Sequence, residues 1–376
     1  MKYLNKRKVE AFLFIATLSI FFGVISHYMG VKNMLSTIMA SAHDLLLNTV
    51  FYLMSITVLA GAFGQLLIEF GVVRLLEMVF APLMKPLFKL PGVASLAALM
   101  TFFSDNPAII SLVEDKNFSS YFKRHELLSL TNFGTAFGMG LIVLTFMAGK
   151  GFFGPAIIGF LGAIVGAIVS TRLMQFLIKD KKLHKTFFPS IAHEEKIKLK
   201  SEGSIFLRFI NSILDGGKLG VNIGLSIIPG VLIISSIIMI ITYGPADPSV
   251  GYQGLAYEGV PILPKIASYF GWLFKALFGF NSPEAIAFPI TSLGAVGAAL
   301  SLVPSFLERG IIGANEIAVF TAMGMCWSGY LSTHTAMLDS LGYRELTPQA
   351  LTSHTIGGII AGVFAHYAYL LFTLFT

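Results

Sequence analysis

The run "FFGPAIIGFLGAIVGAIVSTRLMQFLI", residues 152–178, carries a single charge, Arg172, in 27 residues. About 20 apolar residues are enough for a helix to cross the hydrocarbon core of a bilayer. In that medium every backbone N–H and C=O has to be bonded internally. Runs of similar character recur at roughly 9–31, 44–67, 126–149, 218–243, 313–338 and 351–375. The chain is 55% hydrophobic and 12% charged, about half the charge of an ordinary soluble domain. The sequence therefore describes an all-α polytopic membrane protein, not a globular enzyme with an anchor. No small-residue cleavage site follows the basic start, so the first run reads as a retained helix.

Charge gives the orientation. Lys2, Lys6, Arg7 and Lys8 precede the first run, and seven lysines between Lys179 and Lys200 follow the fourth. The stretch 244–263 has neither Lys nor Arg. Counting positive residues places the N-terminus and a basic linker, 179–204, in the cytoplasm, and 244–263 outside. The expected chain is multi-pass, with the N-terminus cytoplasmic. The net charge of +6 follows from this topology and comes with no nucleic-acid motif. The one cysteine, Cys326, excludes an intrachain disulfide framework and a cysteine metal cluster. No pair of histidines has metal-ligand spacing, so no metal is expected.

The charge topology closes only if 70–125 enters and leaves on the cytoplasmic side. Residues 70–91 mix Arg74, Glu77, Lys85 and Lys89 with Leu, Val, Met and Phe, as suits a helix lying in the interface. Then comes "VASLAALMTFFSDNPAIISLVED", with Ser104, Asp105, Asn106 and Pro107 at its middle. Two half-length arms meeting at a polar tip predict a re-entrant hairpin over 92–117. Non-helical backbone at membrane depth is tolerated where it is buried in protein or lines a cavity.

An offset of 190 residues relates two halves of the chain. Phe80, Leu83, Lys85, Leu87 and Phe88 match Phe270, Leu273, Lys275, Leu277 and Phe278. The same offset matches Thr101 to Thr291, Glu126 to Glu316, Thr131 to Thr321, Gly134 to Gly324 and Met147 to Met337. The expected organisation is an N-terminal helix and external loop (1–43), a first repeat (44–178), the linker, and a second repeat (205–376). The second repeat would hold an interfacial helix at 264–280 and a hairpin at 282–304. Starting on opposite sides, the repeats are inverted, the arrangement in which secondary transporters hold substrate at the repeat interface. The polar first tip maps onto the small "GAVG" of 294–297, preceded by Thr291 and Ser292.

Candidate site residues follow. Ser104, Asp105 and Asn106 supply acceptors and donors at the tip, or serve only as helix caps. An ionisable group at depth usually marks a pathway. Asn132 and Thr135 share a helix face, near Thr131 and two glycines. In the second half, Trp327 could stack on a planar solute or merely pack, and Ser328 and His334 add polar groups. Glu284 is either a first-turn acid after Pro283 or a cavity residue. Asp44 and Asp215 each begin a span and read as interfacial caps.

The order "FGVVRLLEMVFAPLMKPLFKLPG", polar tip, then "RHELLSLTNFGTAFG" resembles the nucleoside-recognition (Gate) domain of bacterial membrane proteins. That group includes spore-maturation and dipicolinate-import proteins, and the concentrative nucleoside transporters are more distantly similar. The matching elements are Ser104–Pro107, then Lys123-Arg124, then Glu126-Leu127, within a resemblance spanning roughly 44–376. The tip departs from the Gln-Thr-Glu-x-Pro pattern of the nucleoside carriers, so nucleoside is not fixed as the solute. The resemblance implies a concentrative nucleoside transporter-like fold in a bacterial cytoplasmic membrane, a small polar or planar organic solute (nucleoside-like or a small carboxylate), and a homo-oligomer. Alternating access follows, with freed carbonyls near the tip consistent with Na⁺ or H⁺ coupling and no other cofactor. The alternative is a Gate-domain component that transports nothing and acts through a partner protein. No His-Glu-x-x-His, Gly-x-Ser-x-Gly or buried Ser/His/Asp set suggests an enzyme.

Overall fold

A computed structural model describes residues 2–114, 116–179 and 203–375. Most of the basic linker lies outside the described residues. The described chain is helical, with one isolated bridge pairing Asp247 and Gly251. Six helical segments are long and apolar enough to span a membrane: Lys6–Met29, Val31–Glu69, Arg124–Gly149, Phe153–Ile178, Ile205–Ile240 and Arg344–Thr373. Their burial ranks them. Only 6% of the first span's apolar window is buried, against 89% for Arg124–Gly149, so the first is peripheral and the third central.

Three expected boundaries are corrected. Residues 31–43, read as a loop, are helical and run on to Glu69. Their polar residues share one side that packs on the 252–257 loop: Asn33 Nδ2 donates to Tyr252 O at 2.9 Å, and Tyr257 N to Ser41 Oγ at 2.8 Å. The span expected at 218–243 starts earlier, at Ile205, where Ser204 Oγ accepts from Leu207 N. The run 313–338 is not one continuous helix. It divides into Ala314–Cys326 and Tyr330–Ser340.

Two long helix pairs frame the molecule, and small residues let them close. Phe51–Glu69 crosses Ile205–Ser226 where Gly61, Gly216 and Gly220 meet, and Thr57 Oγ1 donates to Gly220 O at 2.7 Å. Arg208 closes one end of this pair on Glu69 at 2.6 Å. Phe153–Ile178 lies along Thr347–Thr373, where a Cβ on Gly357 would sit 2.6 Å from Ser170 Cβ. Lipid gives helices no hydrophobic reason to associate, so this close approach supplies the packing attraction.

Between these pairs lie short, broken helices. Ala94–Phe103 stops at Ser104, and Pro107–Glu114 resumes after Asn106. Ala287–Gly294 stops at Ala295, which is extended, and Val296–Leu300 follows. Arg124–Thr135 breaks over 136–139 before Gly140–Gly149. Backbone irregularities recur at the 190 offset. Left-handed backbone falls at Lys89 and Gly279, and again at Met139 and Gly329. Glu126 accepts from Lys123 N at 2.7 Å and Glu316 from Gly313 N at 2.9 Å, each capping a helix start.

Candidate functional site: the first tip and the two helix breaks

A helix that stops inside a membrane protein leaves backbone groups that need partners. The structure answers this locally. In the second half, Cys326 O is taken by His354 Nε2, Ser328 O by Asn106 Nδ2, and Gly329 N donates to Ser292 O at 3.3 Å. In the first half, Gly134 O accepts from Thr101 Oγ1 at 3.0 Å, and Gly138 N donates to Thr135 O at 3.0 Å.

Asn106 joins these features. Its side chain is 4% exposed, and Nδ2 donates to Ser328 O in the second break. The same carboxamide fills the space above Gly138 in the first break, where a Cβ would lie 2.8 Å from Asn106 Cγ. One tip residue therefore touches both helix breaks, 32 and 222 positions along the chain. The other tip residues act locally. Asp105 Oδ1 accepts from Asn106 N at 2.7 Å, and Ser104 Oγ donates back to Met100 O at 2.6 Å. Both remain half-buried, with the rest of the Asp105 carboxylate uncommitted.

Asn132 is committed to holding helices together. Its Nδ2 donates to Ser170 Oγ (2.9 Å), Ala350 O (3.1 Å) and Ser353 Oγ (2.8 Å). Ser170 Oγ in turn meets His354 Nδ1 at 2.9 Å. Because Cys326 O can only accept, His354 carries its proton on Nε2 and accepts at Nδ1 from the serine hydroxyl. The chain Asn132–Ser170–His354–Cys326 thus runs with every donor matched to an acceptor. Trp327 is 6% exposed, and its indole N–H points to His354 O at 3.4 Å. Thr291 and Ser292 bond to carbonyls of their own helix, Ala287 O at 2.7 Å and Pro289 O at 2.8 Å.

Other polar atoms in this region have no partner. They are Asn106 Oδ1, Thr131 Oγ1, Asn132 Oδ1, Thr135 Oγ1 and both ring nitrogens of His334. His334 is fully buried, with its ring centroid 4.5 Å from that of His354 and 5.4 Å from that of Tyr330. Buried unsatisfied polar atoms cost about 1–3 kcal/mol each, and these lie on the first tip and on the two helices that break. Glu284 is not among them. It sits half-buried in the first turn of the short helix Pro283–Ile286, away from the break at Ala295. Sequence reading missed Ser170, Ser353 and the role of His354, because each pairs with a residue distant in the chain.

No family model matches the chain, and no curated protein matches it. Solved structures do. A CNTnw variant in an outward-facing state superposes with a TM-score of 0.56 at 14% identity, over 96% of this chain and 86% of that one. CNTnw in an inward-facing substrate-bound state gives 0.54 at 14% identity, over 97% and 87%. A further variant in an intermediate state gives 0.52 at 14% identity, over 97% and 86%. The chain is an all-α, multi-pass membrane protein, and its fold is that of the concentrative nucleoside transporters. At this identity the likeness is one of fold.

Proposed function

We propose that the chain is a secondary transporter of a small polar or planar organic solute, nucleoside-like or a small carboxylate, working by alternating access. The observation that carries this is the junction at Asn106, where the first tip meets both helix breaks and polar atoms lie buried without partners. A solute bearing hydroxyl, amide or carboxylate groups would satisfy Thr135 Oγ1 and His334 while Asp105 accepts its donors, and Asn106 Oδ1 would reach it by turning off Gly138. Ser328, Thr291, Ser292 and Trp327 line the opposing break and arm, with Thr131 one turn below Thr135. Na⁺ or H⁺ coupling would draw on the same oxygen-rich junction.

Several features support this. The fold recurs in CNTnw structures whose described states are outward-facing, intermediate and inward-facing. The recurrence of caps and left-handed residues at the 190 offset supports two inverted repeats, with re-entrant hairpins at 92–117 and 282–304. A component acting only through a partner would need no polar atoms between its tips, and an apolar closure would be more stable. The reading is tested by thermal stabilisation of the purified protein against nucleosides, dicarboxylates, amino acids and cations, followed by uptake into proteoliposomes. Asp105→Ala and Asn106→Ala are expected to abolish stabilisation and uptake while the protein still inserts. Wild-type uptake by both variants would overturn the assignment.

A further inference from the structure

A polar cavity of about 360 Å³ is lined by none of the residues of the Asn106 junction. It is lined by Asp44, Asn48, Tyr52, Lys150, Tyr257 and Glu308, with Ser301 and Ser305 at its wall. Its volume lies within the ordinary range for small-molecule sites and is far larger than one ion needs. Nothing in the tip mechanism uses it.

The cavity is built from unusual backbone. Asp44 leads into the π-helical turn Leu45–Val50, a form rare in helices and frequent at functional sites. Ser301 and Ser235 join this wall to a second π-helical turn, Gly230–Ser235, at 2.9 Å. Tyr257 has φ +61°, left-handed for a residue with a bulky side chain. Three contacts hold it there. Its N–H donates to Ser41 Oγ at 2.8 Å, its carbonyl accepts from Arg309 at 3.1 Å, and its hydroxyl donates to Asp44 Oδ2. Behind it, buried Glu258 accepts backbone N–H groups from Ala246, Gln253, Gly254 and Leu255, fixing the loop.

The charges are arranged asymmetrically. Lys150 Nζ sits 4.6 Å from the centroid of the Tyr52 ring and has no carboxylate partner. Lysines elsewhere in the molecule do pair, as in Lys6–Glu10 and Lys218–Asp215. Glu308 is likewise unpaired, and Asp44 is aimed by Asn48 at 2.7 Å and by Tyr257. One cation and two anions thus face one volume, held apart. A dicarboxylate would meet net negative charge, a simple cation would meet Lys150, and a neutral solute would leave Lys150 without an anion. A molecule with one charge of each sign meets none of these objections.

We infer that this cavity binds a zwitterionic α-amino carboxylate, its carboxylate on Lys150, its ammonium on Asp44 and Glu308, and its side chain against the Tyr52 and Tyr257 rings. The site is separate from the Asn106 junction and does not depend on what that junction carries. The test uses the full chain in detergent, with each neutral standard L-amino acid, succinate and uridine as labelled probes. At least one amino acid is expected to bind at submillimolar to millimolar concentration. Lys150→Met and Glu308→Gln should each weaken it tenfold or more, with Asp105→Ala within twofold of wild type. A second readout keeps the substitutions in the ligand's way rather than in its contacts. Cys326 is buried and is the only cysteine, so Pro304→Cys, at a lining residue that holds none of the charged groups, offers one accessible thiol, and the bound amino acid should slow its alkylation. Absence of amino-acid binding, or no protection at Pro304→Cys, overturns the proposal. So does binding that survives Lys150→Met, or that is lost in Asp105→Ala and therefore belongs to the tip.

Discussion

Gly138→Ala isolates the contact on which the tip junction rests. Gly138 is not left-handed, so the backbone accepts alanine without strain. The obstacle is Asn106, whose Oδ1 lies nearest to the new methyl, with Cγ and Nδ2 at 2.8 and 3.2 Å. The carboxamide must swing away, and Ser328 O then loses its donor. Overpacking costs about 1–3 kcal/mol. Orphaning a buried carbonyl costs a further ~1–3 kcal/mol. A total near 3 kcal/mol is therefore expected. In an Asn106→Ala background both terms vanish, because the obstructing group and the bond are already gone. The substitution should then cost under about 1 kcal/mol, giving a coupling of roughly 2 kcal/mol. Equilibrium unfolding of the four proteins in mixed micelles measures this cycle. Equal costs in both backgrounds, within about 0.5 kcal/mol, would refute the placement of Asn106 against Gly138.

Other consequences are as specific. Gly220→Leu drives a side chain into the Thr57 carbonyl across the helix crossing and should cost about 3 kcal/mol, read as a fall in melting temperature. Glu258→Gln replaces a carboxylate that gathers four backbone N–H groups. It should cost roughly 3 kcal/mol and speed amide exchange over residues 246–257. Burial, then the hydrogen bond to Asp44, pushes the Tyr257 hydroxyl far above the ordinary tyrosine range. A raised folded value makes its contribution complete below the unfolded value of about 10 and lost progressively above it. The stability difference between wild type and Tyr257→Phe should be flat from pH 7 to 9 and shrink above 10, as thermal melts will show.

The fold class was legible because apolar runs of spanning length admit few structures. The position of the first break was legible for a similar reason: four polar residues in an apolar run leave few other places for it. The helix over 31–44 was not, since its polar residues, Asn33, Ser41 and Asp44, face a loop more than 200 positions away. Hydropathy reads such a face as exposed. The 190 offset pointed to Glu126 and Glu316, and their common role turned out to be helix capping. Asn132 was legible as a polar group at depth, but the bonds by which its Nδ2 ties three helices together are visible only once Ser170 and Ser353 are placed, and its Oδ1 is left without a partner. The Asn106–Ser328 bond was likewise hidden, since both residues were candidates yet nothing in their spacing joined them.

Thiol labelling at the first tip tests the central claim most directly. Ser104→Cys places a reactive group beside Asn106 in a chain whose own cysteine is buried. In sealed proteoliposomes, a transported solute should slow alkylation of this thiol, and an impermeant reagent should reach it from either side. Labelling that ignores the transported solute would contradict a binding site at the tip.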